Sequence, residues 1–541
     1  MRLALAQIDP TVGAIDDNLS LILSYIERAR RSKCDLVVFP ELAVCGYSPL
    51  DLFWRSGFID RMQEAQEEIR KASEGIGVIV GGVTAKRRHD GGNTSDPSSV
   101  LDGAGTDLFN CALFFSDGSL VASIPKLNLP TFDVYSEKRY FTPGPGAQVF
   151  AFRGKSIGIN VCEDLWVDDG PTDAQASLGA EWIINISASP FFIGKGEIRH
   201  ALASRRAREN GIELFYVNLV GGQDDVIFDG GSFVTAPSGD LLYQAPYFVE
   251  GLFIMDTDRA EPVEPQQQDP IAAAREAIVL GIRDYLRKNA FSQVIIGISG
   301  GIDSALVAAL AVEALGSDAV SGVFLPSAIS SEESRDDAHQ LAKNLGIELA
   351  DVPIADLVAA SHAALEGGVS GLAAENLQAR IRGTLLMVLA NQQNALILTT
   401  GNKSEVAVGY NTLYGDTVGA LAPIGDLYKT QVWEMARGMD DMIPQRIIDK
   451  PPTAELRADQ KDEDDLPPYG ILDAILKKLI EENASRDNLI ANGFPESTVA
   501  DVLSRYYGSE YKRHQLPPVI KVSPKAFGIG RRVPITHRYR E

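Results

Sequence analysis

The stretch "VIIGISGGIDSALVAAL", residues 294–310, decides the fold of the C-terminal half of this chain. Its β-branched start is typical of a buried strand, and the small apolar residues after Asp303 favour a helix. Between them, SGGIDS has the glycines and the helix N-terminus that can cradle a phosphate. The lysine of the G-x-x-x-x-G-K-[ST] loop is absent, which excludes the loop that serves γ-phosphate chemistry.

The chemistry of this loop is predicted from its hydroxyls and its acid. Ser299 and Ser304, with the backbone amides, are expected to hold a pyrophosphate, and Asp303 is expected to hold Mg²⁺ against it. A loop shaped around leaving pyrophosphate suits adenylation, in which a substrate oxygen attacks the α-phosphate of ATP. The alternative is a plain strand-turn-helix with glycines for the tight turn. The predicted ATP-binding loop comprises Gly297, Ile298, Ser299, Gly300, Gly301, Ile302, Asp303 and Ser304.

Strand and helix patterns alternate after this loop. Ser330 with Glu333 predicts a capping box at the start of the second helix. Such alternation predicts a doubly wound parallel sheet with helices on both faces. The predicted strands cover 294–299, 319–326, 347–354 and 396–401, and the later helices cover 330–346 and 375–394.

Composition limits the class of protein. The 541 residues are 45% hydrophobic and 23% charged, which is typical of globular domains. The 73 acidic residues outnumber 50 basic ones, and the net charge of -23 argues against a nucleic-acid surface. Four cysteines without metal-ligand spacing indicate a reducing compartment and no disulfide. The start "MRLALAQIDP" predicts a strand rather than a signal peptide, and no window predicts a membrane span. We therefore expect a cytosolic protein with small-molecule partners.

A boundary is predicted at "DTDRAEPVEPQQQDP", residues 256–270, where prolines, glutamines and acids replace any hydrophobic period. The expected organisation is a first domain at 1–258, a linker at 259–270 and a second domain at 271–541. Nine short β runs and two long helical patterns in the first domain predict a mixed α/β fold with two packed sheets.

Three chemically distinct residues follow predicted strands of the first domain. Glu41 follows LVVFP, Lys126 ends LVASIPK, and Cys162 ends SIGINVC. Because ligand sites form at strand ends in α/β sheets, these residues are candidates for a base, an oxyanion stabiliser and a nucleophile. Each alone has a structural interpretation, as a core thiol or as solvated charges.

The local sequence strengthens the catalytic interpretation. The motifs "FPELAVCGYSPLDL", "IPKLNLP", "YSEKRYF" and "NVCEDLW" resemble the nitrilase and amidase superfamily over residues 1 to about 258. The resemblance implies an α-β-β-α sandwich in which Glu41 is the general base, Lys126 the oxyanion-stabilising cation and Cys162 the nucleophile. "NISASPFFIGKG" is similar to the glutaminase branch. Residues implied to bind glutamine are Phe132, Glu137, Ser189 and Lys195. Phe132 stands where relatives often carry tyrosine, so it can stack but cannot donate a hydrogen bond.

The second domain resembles adenine-nucleotide α-hydrolase-like enzymes, and among them the NAD synthetase family. The resemblance rests on "ENLQARIRG", "LTTGNKSEVAVGY", "GDLYKTQVW", "DEDDLPPYGILD" and "YKRHQLPP". It implies that ammonia from glutamine amidates ATP-adenylated nicotinic acid adenine dinucleotide, with Mg²⁺ as cofactor, and that the chain forms a homo-oligomer, at least a dimer through the second domain. Implied site residues are Thr400 and Lys429 for ATP, Asn376, Arg382, Glu405 and Lys512 for the dinucleotide, and Asp303 and Glu405 for the metal.

Some questions stay open at this level. Another glutamine-fed amidotransferase with a different carboxylate acceptor fits the same loop. The other alternative is a non-catalytic or ammonia-only protein whose first domain serves as a scaffold or binding module, and the complete set of Glu41, Lys126 and Cys162 counts against it. Asn376, Arg382, Lys429 and Lys512 each have an alternative interpretation as solvated surface groups. The acidic segment 455–468 is either a mobile lid or a solvated loop. A protected ammonia path between the two sites is expected, since ammonia in water is largely protonated.

Overall fold

The computed structural model describes residues 1–87, 106–365, 368–453, 455–457 and 460–540. It divides into two compact units, one formed by Met1–Gln223 and Ile227–Gln268, the other by Asp224–Val226 and Asp269–Glu541. The second unit's first long helix begins at Pro270, and the Asp269 side chain accepts hydrogen bonds from two backbone amides of its first turn. A helix therefore starts at the last residue of the predicted linker.

The first unit contains two six-stranded sheets. The first sheet has the order β14-β1-β2-β3-β4-β5. Parallel pairing in the middle, β1 with β2 and β2 with β3, is flanked by antiparallel pairs. The strands are β1 (Arg2–Gln7), β2 (Leu36–Val38), β3 (Gly77–Arg87), β4 (Thr106–Ser116), β5 (Ser119–Pro125) and β14 (Gly251–Asp256).

The second sheet repeats this plan, in the order β13-β12-β9-β8-β7-β6. Its centre is again parallel, from β7 through β8 to β9. The strands are β6 (Val149–Phe152), β7 (Lys155–Val161), β8 (Trp182–Ser187), β9 (Glu213–Asn218), β12 (Phe233–Thr235) and β13 (Leu241–Gln244), and β10 (Val220–Gln223) pairs with β11 (Val226–Asp229) in a separate hairpin.

The sheets pack face to face, with helices outside. Leu5, Phe114, Ile159 and Ile184 belong to one buried cluster between them. Helices α1 (Ile15–Arg31) and α2 (Ser56–Ala72) cover the first sheet, and α3 (Pro171–Ser177) and α4 (Lys195–Asn210) cover the second. The predicted α-β-β-α sandwich is confirmed.

The second unit is built on a four-stranded parallel sheet, in the order β17-β16-β15-β18. Its strands are β15 (Val294–Gly297), β16 (Val320–Phe324), β17 (Glu348–Asp351) and β18 (Leu396–Ile397). The strand order reverses beside β15, so the SGGIDS turn lies at the topological switch point where doubly wound sheets bind ligands. The predicted parallel sheet is confirmed.

Helices enclose this sheet. Leu386 and Ala390 of the long helix 372–393 pack on Ile295, while the helix after SGGIDS also contacts β15 and β16. The helices are α5 (Pro270–Lys288), α6 (Ile302–Leu315), α7 (Glu332–Leu345), α8 (Ala355–Ala364), α9 (Leu372–Gln393), α10 (Lys403–Val408), α11 (Lys429–Arg437), α12 (Gln445–Asp449), α13 (Tyr469–Glu481), α14 (Arg486–Ala491), α15 (Glu496–Gly508) and α16 (Glu510–Arg513). None of the helices in the described ranges is long and apolar enough to cross a membrane.

The predicted capping box at Ser330 and Glu333 is wrong by one residue. Helix α7 is capped by Ser331, whose hydroxyl accepts a hydrogen bond from the Ser334 amide. The Ser330 hydroxyl accepts from the Ser327 amide in the preceding turn, so it is not available to cap the helix.

Candidate active sites

Glu41 lies just past the end of β2 and is fully buried. Its Oε1 accepts hydrogen bonds from Lys126 Nζ at 2.7 Å and Asn110 Nδ2 at 2.7 Å. Its Oε2 accepts from the Ala188 amide at 3.0 Å. Both oxygens are thus fixed, which orients the carboxylate as a general base requires.

Lys126 follows β5 and joins two carboxylates. Its Nζ donates to Glu41 and, at 2.8 Å, to Glu137, which also accepts from the Tyr47 hydroxyl at 2.9 Å. Burial opposes the charge of Lys126, but Glu137 and Glu41 hold its pKa well above the usual value. Burial raises the pKa of Glu137 to about 7, although Lys126 acts against this. Lys126 therefore keeps its positive charge at neutral pH, whereas Glu137 gains or loses its proton near neutral pH.

Cys162 follows β7 and begins a single 3₁₀ turn, Cys162–Leu165. Its φ of 46° is left-handed, a conformation that costs energy in a residue other than glycine and recurs at functional sites. Burial, and then the Glu41 charge, raise the pKa of the thiol well above its usual value, while Lys126 opposes them. The thiol is therefore neutral at rest and needs a base when it reacts.

The predicted base, cation and thiol are thus brought together by the ends of β2, β5 and β7. A neutral thiol beside an oriented carboxylate and a permanent ammonium is suited to nucleophilic attack on a carbonyl, with the ammonium near the developing oxyanion. Sequence reasoning did not find Asn110, which holds Glu41 from β4, or Tyr47. No spacing signal marks either residue, because the hydrogen bonds join distant strands and loops.

The residues expected to bind glutamine differ in how far they are buried and in what they contact. Ser189 is buried just past β8, and Lys195 begins α4 with its ammonium 4.0 Å from the ring centre of Trp166. Burial and then Arg199 lower the pKa of Lys195 to about 8. Phe132 is 58% exposed.

A tyrosine that sequence reasoning missed stands beside Phe132. The rings of Tyr135 and Phe132 meet edge to face at 5.5 Å, and Tyr135 interacts electrostatically with Cys162 and Glu41. Its hydroxyl makes no hydrogen bond within the described part of the chain. A hydroxyl donor is therefore present beside the thiol, although Phe132 itself supplies none.

The second unit contains a cavity of about 290 Å³ at the carboxyl end of β15. Loop residues that line it are Gly297, Ile298, Ser299, Gly301, Ile302, Asp303 and Ser304. The Ser304 hydroxyl accepts from the Ser299 amide at 3.2 Å, and the Ser299 hydroxyl accepts from the Gly301 amide at 3.2 Å. These bonds order the loop around the N-terminus of α6.

Gly300 supports the loop from outside the cavity lining. Its φ is +80°, and a Cβ there would stand 2.4 Å from the backbone oxygen of Ser334. The glycine is thus required both by its conformation and by the close approach of α7.

Asp303 forms the centre of a charged cluster. Its carboxylate accepts hydrogen bonds from Lys429 Nζ and, at 2.9 Å, from Asn402 Nδ2. Glu405 lies 3.7 Å from the Lys429 ammonium. Burial and then the charge of Asp303 raise the pKa of Glu405 to about 8. Burial disfavours the charged form of Lys429, but the neighbouring Asp303 carboxylate raises the pKa of Lys429 above its usual value. Asn402, which sequence reasoning missed, also caps α10 in a capping box with Glu405. The N-x-x-E spacing was a usable signal for it.

The remaining predicted residues divide into two groups. Thr400, Arg382, Glu405 and Lys429 line the cavity. Asn376 and Lys512 are not among its lining residues; their hydrogen bonds reach the loop 409–412 instead.

The donor set of the cavity fits the metal that the sequence implied. Mg²⁺ prefers oxygen ligands and is usually held by one or two carboxylates together with substrate phosphates. Asp303 and Glu405 supply two carboxylates beside the phosphate-binding loop. Within the described ranges, no three His, Cys, Asp or Glu side chains already form a metal-binding group.

Described residues of the acidic segment 455–468 reach this cavity. Glu455, Leu456 and Asp462 line it, and Asp462 is only 4% exposed. Glu463 and Asp464 are exposed. The interpretation as a solvated loop is thus wrong for Asp462, although it fits its neighbours. Asp416, which also lines the cavity, has a pKa raised to about 6 by burial.

Comparisons with known proteins match both units. Residues 2–264 match the carbon-nitrogen hydrolase family, and residues 274–516 match the NAD synthase family. The chain is 41% identical to a glutamine-dependent NAD(+) synthetase of Synechocystis sp. over 99% of both chains. It is 42% identical to one from Xylella fastidiosa, with 100% of this chain and 99% of that chain covered.

Solved structures are also similar to this chain over nearly its whole length. The chain is similar to a glutamine-dependent NAD+ synthetase from Acinetobacter baumannii in complex with ADP, at 36% identity and a TM-score of 0.77, with 99% and 98% of the two chains covered. A glutamine-dependent NAD(+) synthetase from Cytophaga hutchinsonii shares the fold at a TM-score of 0.83 and 22% identity, with 99% and 97% covered.

Proposed function

Since the chain belongs to the family of glutamine-dependent NAD(+) synthetases, we propose that it makes NAD in two linked reactions at the two sites described above. Glutamine is hydrolysed at Cys162, and the ammonia amidates nicotinic acid adenine dinucleotide that ATP has adenylated. The enzyme is accordingly an ATP-dependent ligase that uses glutamine. The observation that carries the assignment of residues is the Lys126 ammonium, which bridges Glu41 and Glu137 beside Cys162.

The glutaminase reaction begins with the neutral thiol. As Cys162 Sγ attacks the amide carbon of glutamine, Glu41 takes the thiol proton. The carbonyl oxygen becomes an oxyanion, which Lys126 and the backbone amide of Glu163 stabilise. The intermediate collapses to a thioester, and the proton held by Glu41 leaves with ammonia. Water then attacks the thioester, Glu41 again accepts the proton, and glutamate and the free thiol form.

The synthetase reaction takes place in the cavity of the second unit. The SGGIDS loop holds the β- and γ-phosphates with the hydroxyls of Ser299 and Ser304 and with backbone amides at the start of α6. A carboxylate oxygen of the dinucleotide attacks the α-phosphate, and pyrophosphate leaves. Ammonia then attacks the acyl carbon, and AMP leaves as NAD forms.

A few side chains, together with a bound metal ion, balance the negative charge of the phosphates in this cavity. Bound Mg²⁺, which Asp303 and Glu405 would hold, neutralises phosphate charge. Lys429, held by Asp303 here, supplies a second positive charge for the phosphates. Thr400 and Arg382 line the same cavity and contact the adenine nucleotide and the dinucleotide in this proposal. Asn376 and Lys512 contribute by holding the loop 409–412.

Three wider features complete the proposal. Ammonia travels between the sites on a path protected from water, because in bulk water most of it would be protonated and no longer nucleophilic. The enzyme acts as a homo-oligomer in the cytosol. The four free, buried cysteines support a reducing compartment.

The deciding experiment measures NAD, AMP and pyrophosphate formed from nicotinic acid adenine dinucleotide and ATP-Mg²⁺, with glutamine or ammonium as the donor. Cys162→Ala is expected to lower the glutamine-dependent rate at least about 10³-fold, as removal of a catalytic nucleophile does, while the ammonium-dependent rate persists. Cys34→Ala, which removes another buried thiol, is the matched control and is expected to keep both rates.

Other outcomes contradict specific parts. Undiminished use of glutamine by Cys162→Ala would refute the role of Cys162. If the unaltered enzyme used neither donor, the acceptor would be wrong, and consumption of ATP with a different carboxylate would identify another glutamine-fed amidotransferase.

A further inference from the structure

Asp462 presents an oxygen that has no hydrogen-bond partner among the described residues. Its Oδ2 accepts a hydrogen bond from the Tyr469 hydroxyl at 2.9 Å, whereas its Oδ1 is buried and accepts none. The residue lines the ATP cavity and is 4% exposed. A buried carboxyl oxygen without a hydrogen bond is costly, so a ligand that satisfies it gains free energy.

The backbone fixes Asp462 in this position. Its amide donates to the Pro452 oxygen at 3.1 Å, and its own oxygen accepts from the Leu466 amide at 2.9 Å. These two hydrogen bonds fix the main chain, and the Tyr469 hydrogen bond holds the side chain. The carboxylate is built into the site, unlike the exposed side chain of the next residue, Glu463.

The surroundings of Asp462 favour additional positive charge. Asp462 interacts electrostatically with Asp303, Glu405 and Lys429. The single ammonium of this cluster is hydrogen-bonded to Asp303 and lies 3.7 Å from Glu405. Within the part of the chain that the structure describes, three acidic side chains therefore share one cation, and the one without a direct ion pair is Asp462.

We propose that Asp462 is an outer carboxylate of the divalent-cation site in the ATP cavity, where it accepts a hydrogen bond from water on the ion that Asp303 and Glu405 hold. This inference rests on the proposed function. Mg²⁺ keeps several of its waters when protein binds it, so a carboxylate beyond direct reach still contributes. Such outer partners orient the direct ligands and strengthen binding. Asp462 is thus a positioning residue for ATP and its metal.

The test measures Mn²⁺ binding by electron paramagnetic resonance, in the presence of saturating α,β-methylene ATP, which cannot release pyrophosphate. Asp462→Asn keeps the shape and the acceptor for Tyr469 but removes the charge. It is expected to weaken Mn²⁺ binding about 10-fold or more, the usual effect of losing an outer partner. Glu463→Gln removes one charge from the adjacent exposed residue and is expected to leave Mn²⁺ binding unchanged.

A second measurement distinguishes an effect of Asp462 on the metal ion from an effect of Asp462 that acts through Lys429. Calorimetry with the same nucleotide in EDTA is expected to give equal affinities for the unaltered enzyme and Asp462→Asn. An equal loss in EDTA and in Mn²⁺ would overturn the proposal, because Asp462 would then act only through Lys429. Unchanged Mn²⁺ binding in Asp462→Asn, or the same loss in Glu463→Gln, would also overturn it.

Two further outcomes are decided by additional variants and controls. If circular dichroism shows that Asp462→Asn is unfolded, Tyr469→Phe replaces it in the test. This variant keeps the carboxylate but removes its hydrogen bond. It is expected to weaken Mn²⁺ binding and to leave the nucleotide affinity in EDTA unchanged. Unchanged Mn²⁺ binding in that variant would overturn the proposal. If the unaltered enzyme failed to bind the nucleotide at all, the proposed function itself would fail, which is a different result from any effect confined to Asp462.

Discussion

At the residue scale, the glutaminase site places one thiol, one ammonium and two carboxylates almost entirely out of water. The electrostatics favour a neutral thiol, since burial and Glu41 raise the pKa of Cys162. In the proposed mechanism, catalysis therefore relies on Glu41 as a base rather than on a resting thiolate. Lys126 balances Glu41 and Glu137 at once, so the strength of its pairing with Glu41 depends on the charge state of Glu137.

This dependence predicts a specific pH profile. The pKa of Glu137 is raised to about 7, so the residue gains a proton as the pH falls through this value. Lys126 then pairs with Glu41 alone, so its ammonium is held more firmly by Glu41 and is less available to the developing oxyanion. We expect kcat/KM for glutamine hydrolysis to fall on the acid side with an apparent pKa near 7 that belongs to the coupled group.

Glu137→Gln tests this prediction, because it mimics the protonated state at every pH. Above pH 7, the variant is expected to have the low kcat/KM that the unaltered enzyme has on the acid side. Its kcat/KM is therefore expected to show no fall with an apparent pKa near 7. Its ammonium-dependent rate, compared with the unaltered enzyme at each pH, controls for effects on the synthetase. Persistence of the same acid limb in Glu137→Gln would assign the titration to another group.

At the element scale, the phosphate-binding turn depends on the close contact between α7 and the loop before α6. Gly300 alone permits it, with its positive φ and its approach to the Ser334 backbone. The sequence pattern identified the loop, but the packing of α7 against Gly300 could not be predicted, because Ser334 lies in a different strand-helix unit. The corrected cap at Ser331 has a similar origin, since a local turn occupies Ser330.

Gly300→Ala is therefore expected to disrupt nucleotide binding. The left-handed conformation costs an added Cβ about 1–2 kcal/mol, and the contact with the Ser334 backbone oxygen adds to this because that oxygen belongs to a helix. We expect affinity for α,β-methylene ATP to fall at least about 30-fold by calorimetry, with the glutaminase rate retained. A factor of 30 corresponds to about 2 kcal/mol.

Gly346→Ala, at a glycine that does not line the cavity, is the matched control. Its φ is also positive, +67°, but a Cβ there would meet only the Ser317 side chain, at 3.9 Å. The variant is expected to bind the nucleotide nearly as well as the unaltered enzyme. Equal losses in both variants would indicate that the contact between Gly300 and α7 has no special importance.

At the scale of the whole molecule, two units with separate cores carry reactions that are useful only together. The proposal of protected transfer predicts the origin of nitrogen in the product. With glutamine labelled by ¹⁵N in the amide and unlabelled ammonium in large excess, most NAD formed is expected to carry ¹⁵N, because ammonia from Cys162 does not mix with water.

Mass spectrometry of NAD provides the measurement. Cys162→Ala under the same conditions is the control and is expected to give only unlabelled NAD. A product whose isotope ratio follows that of the bulk ammonium would show that ammonia is released into solution, and it would contradict protected transfer without affecting the assignment of either site.

The sequence by itself determined the two kinds of fold, the thiol, carboxylate and ammonium that meet in the first unit, and the SGGIDS loop of the second. These features are local: a strand pattern followed by a reactive residue, or glycines and serines within one turn. Thr400, Arg382, Glu405 and Lys429 also lie where the motifs placed them, around one cavity.

Only the tertiary structure decided which distant groups complete these sites. Asn110 meets Glu41 from a neighbouring strand, Tyr135 rather than Phe132 offers a hydroxyl beside the thiol, and Asp462 is buried at the cavity while the next two residues are exposed. Composition and periodicity describe neighbours along the chain. Burial, pKa and the pairing of a side chain depend on residues brought close by packing, and these cannot be read from one position in the sequence.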